Sequence, residues 1–126
     1  MKKTINTNNA PAAIGPYSQA VESDNLLFIS GQLGISPVTG EFPNNSIESQ
    51  TEQVMKNIGA ILESAGLNYS NIVKTTIFLI NMSDFPKVNE IYKKYFSENF
   101  PARSTIQVAG LPKGGLIEIE TIAIKK

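Results

Sequence analysis

Arg103 is the only arginine in a chain that otherwise uses lysine, ten times, for positive charge. Lysine suffices wherever charge serves only solubility. A lone arginine therefore points to a position that needs the planar guanidinium fork, which grips a carboxylate or phosphate through two parallel hydrogen bonds. A structural ion pair is the plainer alternative. A second candidate lies in the run Leu116-Ile117-Glu118-Ile119-Glu120-Thr121. Period-two alternation puts Glu118 and Glu120 on one strand face and Ile117 and Ile119 on the other. A solvated strand face is the commoner origin of such a pair. Two carboxylates beside apolar neighbours also suit the positioning of a water or the sharing of a proton.

Other residues are weaker markers. Tyr17 follows Gly15-Pro16, and Ser30-Gly31-Gln32 closes an apolar run. Gly31 reads first as a bulge, and second as a place where backbone approaches a ligand. Asn89 interrupts a helical apolar stripe; local or solvent bonding is the usual role of such an Asn, and a pocket role the rarer one. The aromatic stripe Tyr92, Tyr95 and Phe96 reads as core. Lys74, in a central strand, reads as paired or snorkelling before it reads as a Schiff-base nucleophile. The chain has no histidine and no cysteine. That excludes a Ser-His-Asp triad, a cysteine nucleophile and zinc held by His or Cys. Any enzyme here works with carboxylates, Tyr, Lys, Arg, hydroxyls and backbone.

The elements that position these residues follow from pattern. Asn9 to Pro16 is an irregular, proline-containing lead-in. Tyr17–Glu22 and Leu26–Gln32 are β-like runs about a Ser23-Asp24-Asn25 turn, which predicts a hairpin. Gly34–Asn45 is a loop. Asn45 or Ser46 offers a helix N-cap; Ile47, Val54, Ile58, Ile61, Leu62 and Ala65 follow at helical spacing, and Gly66 suits a left-handed C-cap. Val73–Ile80 reads as a strand buried on much of both faces. Ser83 or Asp84 caps a second helix whose stripe runs from Phe85 to Phe96, with Pro86 in its first turn and Pro101 ending it. Ser104–Val108 and Leu116–Ile124 are strands joined through a turn at Lys113-Gly114-Gly115. An extra short strand is expected near Thr4. The order predicts an α+β domain over residues 1–126, with a mixed sheet carrying both helices on one face. The other face, apolar in part, predicts burial against another subunit.

Eleven basic residues balance eleven acidic ones, so nothing marks the chain for nucleic acid or an anionic membrane. No apolar run approaches the ~20 residues of a membrane-spanning helix, and the polar N-terminal stretch does not resemble a secretory signal. Lack of cysteine suits the cytosol. The expected setting is cytoplasmic.

Taken together, several stretches resemble the RidA (YjgF) family, the reactive intermediate deaminases. They are Ala10 to Ala20, Ile29-Ser30-Gly31-Gln32, Gly66-Leu67 with Val73-Lys74-Thr75-Thr76, and Val88 to Tyr92. Phe100-Pro101-Ala102-Arg103-Ser104 and Leu111 to Gly114 followed by Ile117-Glu118-Ile119-Glu120 complete the set. The resemblance implies a chorismate-mutase-like fold, a homotrimer whose sheets form a central β-barrel, and ligand sites in clefts between subunits. It implies hydrolysis of 2-imino acids such as 2-iminopropionate, and their enamine forms such as 2-aminoacrylate, to 2-oxo acids and ammonium, without cofactor or metal. Carried over to this chain, Arg103 would hold the substrate carboxylate and Glu118 would deprotonate the attacking water. Tyr17, Ser30, Gly31 and Asn89 would line the pocket. Many members carry cysteine where this chain has Thr105, so no reactive sulfur is available there and substrate preference is expected to shift. Two other activities fit the resemblance less well. One is a 2-oxo acid or metabolite-binding regulatory module without turnover. The other is an endoribonuclease, for which a neutral chain with one arginine and no histidine is poorly equipped.

Overall fold

A computed structural model describes residues 1–125; Lys126, the end of the expected domain, lies outside the described residues. Six strands and two helices follow in the order β1 Lys2–Ile5, β2 Ala20–Ser23, β3 Leu26–Leu33, α1 Ile47–Ser64, β4 Ile72–Leu79, α2 Phe85–Tyr92, β5 Ala102–Gln107 and β6 Ile117–Ile124. The strands form one mixed sheet in the order β1-β2-β3-β6-β4-β5. Only β4 and β5 run parallel, which the intervening α2 crossover permits.

Helix α1 starts where Ser46 accepts from the Ser49 backbone N–H at 3.0 Å, so Ser46 and not Asn45 is the cap. Its apolar stripe, Val54, Ile58, Ile61 and Leu62, is fully buried against Ile77, Leu79, Ile117 and Ile119 of the sheet. Each such side chain contributes roughly 1.5–3 kcal/mol on leaving water. Polar side chains of the same helix reach across to the loops. Asn57 Nδ2 donates to the carbonyls of Leu33 and Ile35 at 3.0 Å each, and Gln50 Oε1 accepts from the Leu116 N–H at 2.9 Å.

Three expectations need correction. The strand expected from Tyr17 begins at Ala20, because Tyr17 closes a tight turn (its N–H to Gly15 O, 2.9 Å) and Gln19 is committed to the lead-in. Gln19 is buried, and its amide bonds the backbone of Thr7, Ala10 and Pro11. Second, α2 stops at Tyr92 instead of running towards Pro101. A 3₁₀ turn covers Lys93–Tyr95, Phe96 is extended and Asn99 is left-handed at φ 58°. Third, β4 is buried on one face only. Thr75, Ile77 and Leu79 are buried, whereas Lys74, Thr76, Phe78 and Ile80 are half-exposed.

Both helices cover the same face of the sheet, as expected. The opposite face presents Phe28 on β3, Phe78 on β4, Ile106 on β5, and Glu118, Glu120 and Ile122 on β6, all partly or well exposed in the single chain. Register between β3 and β6 shifts between Ile29 and Gln32, so Ser30 and Gly31 form a β-bulge.

Candidate active site

The seven residues expected at a site fall into two clusters, and the sheet separates them. Arg103 pairs in register with Thr75 on the neighbouring parallel strand, so its side chain leaves the sheet on the helix side. There the guanidinium carbon lies 5.1 Å from the Phe85 ring centroid and 5.2 Å from that of Tyr92. Nη1 donates to Asn89 Oδ1 at 2.8 Å. Asn89 is thus a hydrogen-bond partner of the arginine across from the edge strand. The Tyr92 hydroxyl is hydrogen-bonded to Thr75 Oγ1 at 2.7 Å, and burial pushes its phenol up from the usual tyrosine range. Thr105, two residues on, shares the helix-side face with Arg103, and its Oγ1 is shielded from solvent without a partner. A groove of about 390 Å³ opens here between Asn89, Tyr92, Lys93, Phe100, Pro101 and Arg103.

The second cluster occupies the open face. Glu118 is half-buried and in register with Phe78, alternating with the fully buried Ile117 and Ile119 as the period-two pattern predicts. Burial raises its pKa above the ordinary carboxylate value, and the neighbouring Glu120 adds to the shift. Its carboxylate lies against Gly31, where a Cβ would come within 2.8 Å of both Cδ and Oε2. Only glycine at the bulge leaves room for Glu118 in this position. Ser30 is tied to the lead-in on both sides: its Oγ donates to Ser18 O at 2.6 Å, and its N–H to Gln19 O at 2.9 Å. That places the Tyr17 turn beside the bulge, with the Tyr17 ring 54% exposed.

Tyr17, Ser30, Gly31 and Glu118 thus form one cluster, and Asn89, Arg103 and Thr105 the other, each a candidate half-site. Sequence reasoning missed Phe85, Tyr92 and Phe100 as neighbours of the arginine. The spacing puts Phe85, Asn89 and Tyr92 at i, i+4 and i+7 on one helix face, but an apolar stripe reads the same whether it faces a sheet or a cation. Lys74 lies on the open face in register with Ile122, away from the groove. The larger concavity, about 610 Å³ near Ile35, Phe42, Asn45 and Lys113, contains none of these residues. Among the described residues, no group of three or more His, Cys, Asp or Glu is placed to hold a metal ion, and no helix is long and apolar enough to cross a membrane.

A bulged strand with a glycine beneath a half-buried glutamate, and a Pro-Ala-Arg-Ser segment that sets one arginine on the edge strand, are set in a small α+β fold with a six-stranded mixed sheet. Residues 7–125 match the family described as endoribonuclease L-PSP. The chain belongs to this family, the RidA family indicated by its motifs. It is 57% identical over 122 residues to the chloroplastic Reactive Intermediate Deaminase A of Arabidopsis thaliana, covering 97% of this chain and 65% of that protein. It is 50% identical over 125 residues to the human 2-iminobutanoate/2-iminopropanoate deaminase, covering 99% of this chain and 91% of the relative. A solved Yersinia pestis member of the conserved Rid family, YyfA, superposes with a TM-score of 0.97 at 54% identity, over 98% of this chain and 99% of that one. The chain thus spans about two-thirds of the Arabidopsis relative and nearly all of the human one.

Proposed function

We propose that this protein is a 2-iminobutanoate/2-iminopropanoate deaminase, an enzyme that hydrolyses 2-imino acids to 2-oxo acids and ammonium. The names carried by relatives 50–57% identical over nearly the whole chain support the reaction, and the chemistry of the two half-sites suits it. Arg103 grips the substrate carboxylate through two parallel hydrogen bonds, which fixes C2 of the imine. Glu118 takes a proton from a water as its oxygen attacks C2. Glu118 returns its proton to the nitrogen of the resulting carbinolamine, the C–N bond breaks as the hydroxyl becomes the carbonyl, and the departing ammonia takes the hydroxyl proton and leaves as ammonium beside the 2-oxo acid. A protonated imine is already electrophilic, so orientation and one nearby base carry most of the work. Backbone at Ser30 and Gly31, with Tyr17, would flank the imine nitrogen. Thr105 Oγ1, shielded and unpartnered, is a hydroxyl that a bound substrate would satisfy.

The observation that carries the assembly is the split itself. Arg103 and Glu118 leave opposite faces of one sheet, so a single chain does not bring them to one substrate. A homotrimer in which the open faces close a central β-barrel buries Phe28, Ile106 and Ile122, and sets the Glu118 half-site of one copy beside the Arg103 half-site of the next. A cytoplasmic setting belongs to the same reading, since a cysteine-free chain needs no oxidising compartment to fold.

The test is the loss of 2-iminopropionate generated in situ by an amino-acid oxidase. Wild type is expected to accelerate it, and Arg103→Ala to lose about a hundredfold or more of that acceleration, as for the loss of a charge-assisted bidentate contact. No acceleration by wild type would overturn the reaction. Tight binding of 2-oxo acids in that case would favour the regulatory module.

A further inference from the structure

An arginine on an exposed edge strand has many rotamers, and a fork that must meet a carboxylate in one plane loses affinity for each that is wrong. Arg103 does not have that freedom here. Phe85 and Tyr92 are seven residues apart on α2, which at about 1.5 Å per residue places them roughly 10 Å apart along the axis. The guanidinium carbon is 5.1 Å from one ring and 5.2 Å from the other, so it sits midway between them. Asn89, on the turn between, accepts from Nη1 at 2.8 Å. One ring of this rack is itself anchored. The Tyr92 hydroxyl bonds Thr75 Oγ1, and Thr75 is the residue in register with Arg103 on the adjacent strand. Arginine, tyrosine, threonine and the β4–β5 pairing thereby close a ring of contacts.

We propose that Tyr92 is a positioning residue: its ring, pinned by the bond to Thr75, sets the Arg103 fork in the plane that receives a carboxylate, with Phe85 as the opposing wall. The catalytic consequence rests on the deaminase reading above; the effect on the arginine does not.

Because the chain has one arginine, its Nε–Hε group gives a single isolated resonance in nitrogen–proton correlation spectra. In wild type this resonance is expected to relax like rigid backbone, and in Tyr92→Leu like a free side chain. Tyr92→Phe, which keeps the ring and loses the anchor, is expected to fall between. Pyruvate serves as the binding probe. Its Kd is expected to rise about tenfold in Tyr92→Leu and about threefold in Tyr92→Phe, with KM following and kcat within about twofold. In an Arg103→Ala background, Tyr92→Leu is expected to leave the pyruvate Kd unchanged, which a general packing defect would not do. Should Tyr92→Leu fail to fold, Phe85→Leu at the half-buried wall provides the same readouts. A folded variant whose Nε–Hε stays as rigid as wild type overturns the proposal. If the arginine loosens but wild type never turns over 2-iminopropionate, the positioning stands and the proposed reaction falls.

Discussion

Glu118 sits where its protonation state bears on both folding and turnover. Its folded-state pKa is raised, by burial first and by Glu120 second. The neutral form is the one that folding favours. The linked stability is therefore fully present below the unfolded value, near 4.5, and is lost as pH rises through the folded-state pKa. A base must be ionised, so the acid limb of kcat/KM is expected above the ordinary glutamate range. Glu120→Gln removes the like charge and is expected to move that limb to lower pH; a limb that stays put would remove Glu120 from the account. At this scale the sequence was informative about charge and silent about stacking. A single arginine and an alternating Glu pair are compositional facts, legible without coordinates. Tyr92 was not legible as a partner of Arg103, because an apolar stripe has the same spacing whether it faces a sheet or a cation.

Helix α1 shows how a packing contact overrides propensity. Gly59 lies in its interior, where Ala would be favoured by up to about 1 kcal/mol. A Cβ there would fall 2.2 Å from the Tyr69 hydroxyl, which donates to the Met55 carbonyl at 2.7 Å. Gly59→Ala is therefore expected to lower stability by roughly 1–3 kcal/mol in urea unfolding. In a Tyr69→Ala background the same change is expected to be neutral or stabilising. A stabilised single mutant would mean that Tyr69 swings aside freely. The helix itself was readable from its 3.6-residue period and its Ser46 cap. The end of α2 was not, since Tyr95 and Phe96 continue the apolar count while turning to stack on Tyr69 and Tyr92 (5.1 and 4.9 Å). The lead-in's order was equally hidden. It depends on one buried glutamine, Gln19, bonded to four backbone groups in a stretch that composition marks only as irregular.

The separation of the half-sites makes a prediction about the assembly. Arg103→Ala and Glu118→Gln proteins are each expected to be inactive. If each site takes its arginine from one copy and its glutamate from the next, mixing the two with subunit exchange should restore about a quarter of wild-type activity. No recovery after verified exchange would place both groups in one subunit and overturn the composite site. Sedimentation of the wild type should give a trimer. Sequence revealed the unexplained apolar character of one sheet face. It did not reveal that the arginine leaves by the other face, because that depends on the parallel β4–β5 register and not on any local pattern.

The bulge in β3 has a consequence for how this fold tolerates changes in length. Leu27 and Ile29 point inward before it and Gln32 points inward after it, so Ser30-Gly31 adds one residue to a strand whose inward set would be complete without it. Removing Gly31 restores even pairing with β6 and leaves each buried side chain on its own side. Such a one-codon deletion is expected to yield a folded protein with near-native circular dichroism and no deaminase activity. A chain unable to fold without Gly31 would show that the residue belongs to the scaffold. In the expected case the glycine is a spare letter: the architecture can be spelled without it, and the chemistry cannot.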